Sequence, residues 1–297
     1  MTTRNPLIKP YLKWAGGKRQ LLLEIKKYLP GDLHTYTYYE PFVGAGALFF
    51  ELRPQKAVIN DSNTQLILTY RVIKENVEEL LALLKEYKGK NSKSFFYEIR
   101  NIDRDAEKFE TLTDVEKAAR LIFLNKTCFN GLYRVNSHGF FNVPYGRYKN
   151  PAIYDENVLR QISNYFNAGD ITILNEDFEE AVLSAGSGSF IYFDPPYHSQ
   201  DKINFTEYQA DGFGEEAQER LRDVIIRMTH RGVKCLLSNS DTEYIRGLYD
   251  SDIFDIISVR AKRLINSDFT GRGAVHEVLI RNWKNFPMSS TASETPP

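Results

Sequence analysis

The chain has 297 residues, 42% hydrophobic and 26% charged, which is the composition of a globular protein able to bury a real core in one large domain or two modest ones. No apolar run approaches the roughly 20 residues needed to span a bilayer, and MTTRNPLIKPYLKW at the N-terminus has no apolar core, so neither a membrane span nor a secretory leader is expected. A net charge of -1 decides nothing about a nucleic-acid partner, whereas two cysteines in unrelated contexts, Cys128 and Cys235, argue against a disulfide framework or thiolate metal site and fit a reducing cytoplasm.

In chain order, GKRQLLLEIKKYL reads as a helix and YTYYEPF, with Tyr38 in its middle, as a strand. ALFFEL is helical, KAVIND near 58 a strand, and NTQLILTYRVIKENVEELLALLKEY a long helix. From about Thr64 to Tyr154 the helical patterns are joined by a Gly/Asn/aromatic-rich stretch with no convincing central strand. Strands resume at DITILNED near 172 and SFIYFDPPY near 192. The helix EEAQERLRDVIIRMTHRG follows, then the strands VKCLLSNS near 236, FDIISV near 256 and AVHEVLIRNW near 278. Continuous apolar strands alternating with amphipathic helices predict an α/β fold, a doubly wound and mostly parallel sheet. The predicted division is a discontinuous catalytic domain over 1–63 and 155–285, an inserted, mainly helical domain over 64–154, and a disordered tail, 286–297.

Three predicted strands end in groups that suit a ligand. The first runs into Glu40-Pro41-Phe42-Val43-Gly44-Ala45-Gly46, where glycines let the backbone turn and approach a bound molecule. The spacing is neither the dinucleotide fingerprint nor a P-loop. The second ends at Asn60-Asp61; Asp61 can accept from ribose hydroxyls or cap the next helix, and Asn63 competes for the cap. The third leads to Asp177-Phe178, a carboxylate and an aromatic ring that could grip an adenine.

Directly after SFIYF stands Asp194-Pro195-Pro196-Tyr197. The prolines end the strand and hold the following carbonyl rigidly. Adenine N6 is a poor nucleophile because its lone pair is delocalised into the ring. The carboxylate of Asp194 and the carbonyl of Pro195 can each accept one of its N–H groups, so that the nitrogen pyramidalises and its developing charge is stabilised. A paired base cannot reach such a pocket and has to be flipped out, with Tyr197 as stacking partner.

From Lys117 to Asn150 the chain carries Lys117, Arg120, Lys126, Arg134, Arg147 and Lys149 and no acid. This reads as a basic face for phosphates or as a solvated surface. Arg134 has no acid nearby in sequence, which leaves it no local salt-bridge partner; Lys126, Arg147 and Lys149 suit phosphates. Asn130-Gly131 marks a turn, and Phe140 and Phe141 read as core. The segments Lys202–Gly214 and Ser267–Gly273 read as loops beside the substrate. The five histidines, 34, 138, 198, 230 and 276, make no ligand spacing, so no metal is expected.

These segments together resemble the α-group of DNA adenine-N6 methyltransferases, the Dam family, and most of all its Dpn-type restriction-modification branch. The likeness covers nearly the whole chain apart from the tail. Its segments are YLKWAGGKRQLL (11–22), YYEPFVGAGALFFEL (38–52), VINDSN (58–63), NKTCFNGLYRVNSHGFFNVPYGRYKNP (125–151), DF (177–178), DPPY (194–197) and LLSNS (236–240). The resemblance implies S-adenosylmethionine as methyl donor, with S-adenosylhomocysteine as product. Trp14, Gly16, Gly17 and Lys18 would hold its methionine end, with Glu40, Phe42, Gly44 and Gly46 lining the pocket, Asp61 at the ribose, Asp177 and Phe178 at the adenine, and Asp194 at the transferring methyl. It implies double-stranded DNA as partner, GATC as target, and 64–154 as the recognition domain. There Arg134 would read guanine, and Lys13, Phe129, Asn130, Leu132, Pro144 and Tyr148 would contact or fill the DNA. Two rivals stand beside this: a related enzyme with another amino acceptor, which Asp194 disfavours, and a DNA-binding regulator built on an inactive pocket, which intact Gly44, Gly46, Asp61, Asp194 and Tyr197 disfavour.

Overall fold

The computed structural model describes residues 8–14, 21–198, 213–261 and 275–283. Within them one seven-stranded sheet is built from β1 (Thr37–Glu40), β2 (Lys56–Asn60), β3 (Asp170–Leu174), β4 (Ser189–Phe193), β5 (Lys234–Ser240), β6 (Asp255–Ala261) and β7 (Val275–Arg281), in the order β3-β2-β1-β4-β5-β7-β6. The first five strands pair in parallel; β7 runs antiparallel between β5 and β6. All seven predicted strands are present. The central strand β4 is buried at every position. Its successive side chains alternate between two apolar layers, Phe190 and Tyr192 in one and Ile191 and Phe193 in the other, as a parallel strand covered on both faces requires.

Ten helices complete the described residues: α1 (Leu22–Lys27), α2 (Ala47–Leu52), α3 (Thr64–Glu75), α4 (Val77–Lys90), α5 (Lys93–Asn101), α6 (Ala106–Glu110), α7 (Asp114–Thr127), α8 (Glu156–Ala168), α9 (Glu215–His230) and α10 (Glu243–Leu248). Asn63 wins the cap of α3, its side chain accepting from Leu66 N. The long helix predicted over 63–87 is two helices, because Asn76 leaves helical geometry (φ -132°, ψ 37°) and separates α3 from α4; asparagine readily bonds its own backbone and so favours such breaks. A capping box of Thr113 and Glu116 starts α7.

No named strand lies between β2 and β3 among the described residues. Two helices of this interval stay with the sheet: Lys74 on α3 donates to Ile171 O on β3 (2.8 Å), and Ser163 on α8 donates to Lys74 O. The rest is a helical body from which an antiparallel hairpin projects, Arg134–Asn142. Asn142 N donates to Arg134 O (3.0 Å), Asn136 N to Phe140 O (2.9 Å), and Val135 pairs with Phe141.

Arg120 does not belong to a basic face. It is buried (1% exposed) and ion-paired to Asp103 at 2.7 Å. It lies in the apolar run AARLIFL of α7, whose inner face turns it into the core. Lys117 is half-buried beside Glu110 (3.6 Å). Asp103 also accepts from Phe141 N (2.8 Å) and pairs with Arg104, which donates to Phe141 O (2.7 Å). A buried ion cluster thus clamps the Phe141 peptide from both sides and fixes the base of the hairpin. Phe141 is buried, as expected, while Phe140 is half-buried and stacks on His138. Removing one member of a buried ion pair strands the other charge. Asp103→Ala is therefore expected to lose about 3–5 kcal/mol of stability in urea titrations; a loss below about 1 kcal/mol, the scale of an exposed pair, would show that the cluster does not hold this region.

Candidate active site

Strands β2 and β4 flank β1, and the chain leaves β1 and β4 toward opposite sides, so a crevice opens at their carboxyl ends. Four strand-end segments meet there: 40–46 after β1, Asp61 after β2, 175–178 after β3 and 194–198 after β4. The loop after β1 turns on Gly44 (φ 49°) and Gly46 (φ 71°), both in the left-handed region where side chains are strained. A Cβ on Gly46 would lie 2.9 Å from Tyr70 Oη, and one on Gly44 would lie 3.2 Å from Trp14 Cδ1. Asp61 braces this loop, accepting from Gly44 N (3.0 Å) and Asn63 N (2.9 Å). Burial raises its pKa, and the two backbone donors oppose that. Asn60 ties the first and third segments: its amide donates to Pro41 O and Glu176 O (3.0 Å each) and accepts from Glu176 N.

Glu40 is buried (3% exposed) and accepts from Tyr38 Oη at 2.6 Å. Burial holds its carboxyl well above the usual carboxylate range; the phenol pulls it down, and the charge of Asp194 pushes it further up. Phe42 stacks on Phe178 (5.3 Å between ring centres), which is itself buried. Asp177 stands at the rim, half-exposed, where it receives Arg220 Nη2 (2.6 Å) and Glu179 N (2.9 Å), while the Arg220 guanidinium covers the Phe178 ring at 4.3 Å.

Asp194 receives a hydrogen bond from Ser238 Oγ on β5 (3.1 Å), and that hydroxyl is also bonded to Tyr192 Oη (2.7 Å). Pro195 is buried, and the Pro196 carbonyl accepts from Gln218 Nε2 (3.0 Å). Gln218 in turn accepts from Asn239 Nδ2, whose Oδ1 receives His198 N. Ser240 Oγ closes the loop on His198 O (2.6 Å). Tyr197 Oη donates to Glu277 on β7 (2.8 Å). The sequence pointed to the tetrapeptide and, by resemblance alone, to LLSNS, without a role for its side chains. It missed Gln218 and Glu277. The available signal for Gln218 was a polar residue on the helical stripe with Leu221, Ile225 and Met228.

Several of the expected DNA-contacting residues, Lys13, Phe129, Pro144 and Tyr148, are brought together around the turn after α7. Asn125, fully buried, exchanges hydrogen bonds with both backbone atoms of Lys13 (2.9 and 2.7 Å) and donates to Gly131 O (3.1 Å), which fixes residues 11–14 on the turn after α7. A Cβ on Gly131 would sit 2.2 Å from Lys13 Cδ, so only glycine fits there. Asn130 is left-handed (φ 55°), and Phe129 and Leu132 beside it are exposed at 51% and 41%. Phe129 N donates to Pro144 O (2.8 Å), and Lys13 Nζ lies 5.2 Å from the Tyr148 ring. Arg134 is exposed at the base of the hairpin, and its Nε donates to Asn142 Oδ1 (2.8 Å), not to an acid. Arg147 and Lys149 are exposed and Lys126 half-buried. Trp14 links surface to crevice: it stacks on Tyr133 (4.9 Å) and lies against Gly44. Gly16, Gly17 and Lys18 lie outside the described residues, as do the tail and nearly all of the two expected substrate loops.

Comparison with known proteins gives a consistent picture. A family model for the D12 class of N6 adenine-specific DNA methyltransferases matches residues 14–265. The chain is 44% identical over 279 residues to the Type II methyltransferase M1.LlaDCHI of Lactococcus lactis subsp. cremoris, covering 94% of this chain and 96% of that protein. It is 42% identical over 293 residues to the Type II methyltransferase M.MjaIII of Methanocaldococcus jannaschii (93% and 99%). It is 32% identical over 276 residues to the DNA adenine methylase of Escherichia coli K12 (91% and 94%).

The raised Glu40 carboxyl carries a pH signature. A group whose folded pKa exceeds its unfolded value favours folding at low pH, and that contribution fades as pH rises through the folded pKa. Glutamine in its place cannot ionise and still accepts from Tyr38. The melting temperature of Glu40→Gln, measured without ligand, is therefore expected to gain on the parent as pH rises from about 5 to 8. A constant difference across that range would rule out a buried, reluctantly ionised Glu40.

Proposed function

We propose a specific reaction for this chain, which belongs to the D12 class of N6 adenine-specific DNA methyltransferases: it moves the methyl group of S-adenosylmethionine to N6 of an adenine flipped out of double-stranded DNA, within GATC. The observation that carries this reading is Asp194, a carboxylate at the mouth of the crevice, oriented by Ser238 before any substrate arrives. The crevice suits the donor: its glycine loop lets backbone approach a ligand, and Glu40 and Asp61 present carboxyls where a cationic molecule would be welcome. When bound, S-adenosylmethionine supplies an already activated methyl group, so no metal is called for.

In this reaction Asp194 accepts a hydrogen bond from one N6–H group and the Pro195 carbonyl accepts one from the other. The lone pair localises toward the methyl carbon, the methyl–sulfur bond breaks to leave S-adenosylhomocysteine, the charge that grows on nitrogen is met by a fixed anion, and N6 then sheds one proton. Tyr197 stacks on the flipped base. Glu40, Phe42, Gly44, Gly46, Asp61, Phe178 and Trp14 hold the donor, with Asp177 at its adenine once Arg220 shares that carboxylate. Within 64–154 the surface around Lys13, Phe129, Asn130, Leu132, Pro144 and Tyr148 meets the DNA. Arg134 gives guanine a bidentate pair, and Lys126, Arg147 and Lys149 position phosphates. The enzyme works in the cytoplasm, beside an endonuclease or as an orphan or phage-borne methylase.

Methyl transfer to duplexes with and without GATC, with modified adenines located by base-resolution sequencing, tests the target. Label confined to GATC is expected, and equal labelling of both duplexes would defeat the specificity. Asp194→Ala is expected to bind donor and DNA normally while losing about 10²–10³-fold in turnover; full turnover would remove Asp194 from the chemistry.

A further inference from the structure

Tyr197 is placed by a loop, and the two prolines before it fix its backbone but not its ring. Its hydroxyl is drawn into a part-buried position and needs a partner there. That partner comes from a distant part of the chain. The antiparallel insertion of β7 beside β5 sets Glu277 directly opposite Ser240, the residue that fastens the His198 carbonyl at the end of the same loop. On β7, Glu277 shares a face with Leu279, which enters the apolar layer beneath β4 and β5. At that position an apolar side chain is the default; the acid is there at the cost of partial desolvation. Its carboxyl oxygen accepts a hydrogen bond from the Tyr197 hydroxyl at 2.8 Å. Ser238 Oγ, on the neighbouring strand, orients Asp194 at 3.1 Å and also reaches the Tyr197 hydroxyl. The two side chains of the tetrapeptide are thus each held by a polar group from another strand.

We infer that Glu277 is a positioning residue for methyl transfer, acting through Tyr197 by fixing the plane on which the acceptor base stacks. This rests on the reading of Asp194–Tyr197 as the reacting segment. It explains why the fourth position carries a hydroxyl when stacking alone needs only a ring. A charge-assisted hydrogen bond is directional enough to hold a phenol in one orientation, and near-attack geometry is sensitive to small displacements.

Steady-state kinetics on a GATC duplex test this with Tyr197→Phe, Glu277→Ala, Glu277→Gln and the Tyr197→Phe/Glu277→Ala pair, donor binding by calorimetry serving as the check of folding. Tyr197→Phe and Glu277→Ala are each expected to lower kcat about tenfold, with KM for the donor little changed. Glu277→Gln, which keeps an acceptor oxygen, is expected to retain most of kcat. Once Tyr197 is Phe, removing Glu277 is expected to cost less than about twofold, because the two act as one unit. An equal loss in both backgrounds overturns the inference, as does wild-type kcat in Tyr197→Phe, a change that leaves ring and packing intact. Should Asp194→Ala and Tyr197→Ala both keep full turnover, the reading of the segment itself fails. Turnover that needs Asp194 but ignores Glu277 sinks only the role given to Glu277.

Discussion

Three carboxyls stand at the carboxyl ends of adjacent strands, Glu40 after β1, Asp61 after β2 and Asp194 after β4, and holding negative charge away from water is what the surrounding structure has to manage. Each is met by donors: Tyr38 for Glu40, the Gly44 and Asn63 amides for Asp61, Ser238 for Asp194. The charges of Glu40 and Asp194 nevertheless oppose one another, and Glu40 gives way, its carboxyl held well above the ordinary range by burial and by its neighbour. Asp194 is the less buried of the two. The proposed donor brings a sulfonium and an ammonium, charges opposite in sign to an ionised carboxylate. Electrostatics of this kind act before the reaction begins, because the acceptors are already in place.

The same economy governs the polar groups that shape the loops. Asn60, Asn125, Gln218 and Asn239 are all buried, and each amide spends its hydrogen bonds on backbone or on one another. A buried amide with matched partners fixes geometry more sharply than apolar contact does, since a half-satisfied one is costly. Asn125 performs this task for Lys13 and Gly131, and Asn60 for the loops after β1 and β3. Two surfaces made by distant stretches of chain are thereby given one fixed relation.

Much of this was legible in the sequence, and the reasons are physical. Buried parallel strands are continuous apolar runs, so seven could be picked out by composition, and chemistry concentrated at their ends followed from the topology. Asp194–Tyr197 stood out because an acid and an aromatic residue flank the strand-ending prolines in the same domain as a glycine-rich first strand end, whereas Asp-Pro-Pro alone would read as a turn. Arg120 was misread for the converse reason: charge was counted along the chain, whereas its place on the inner face of α7 and its partner Asp103, 17 residues earlier, only appear in three dimensions. The break at Asn76 was local and readable in principle, but strong helical patterns on both sides masked it. Glu277 lies 80 residues from Tyr197, and nothing in linear spacing joins them.

Arg134, the proposed reader of guanine, sits on a frame supplied by other parts of the chain. Its guanidinium is exposed, and an exposed arginine ordinarily samples many rotamers, so a contact with a base would have to overcome that entropy. Here Asn142, its partner across the hairpin, takes the Nε hydrogen. Asp103 and Arg104 clamp the adjoining Phe141 peptide to the helical body. The next residue before the arginine, Tyr133, stacks on Trp14, which covers Gly44 at the edge of the crevice. A side chain free to meet solvent is therefore mounted on backbone that is anchored at both ends. One of those anchors is the buried ion cluster, the other the loop proposed to hold the methyl donor. Rigid mounting lowers the ordering cost of recognition, which is where a single arginine's discrimination between bases is most easily lost.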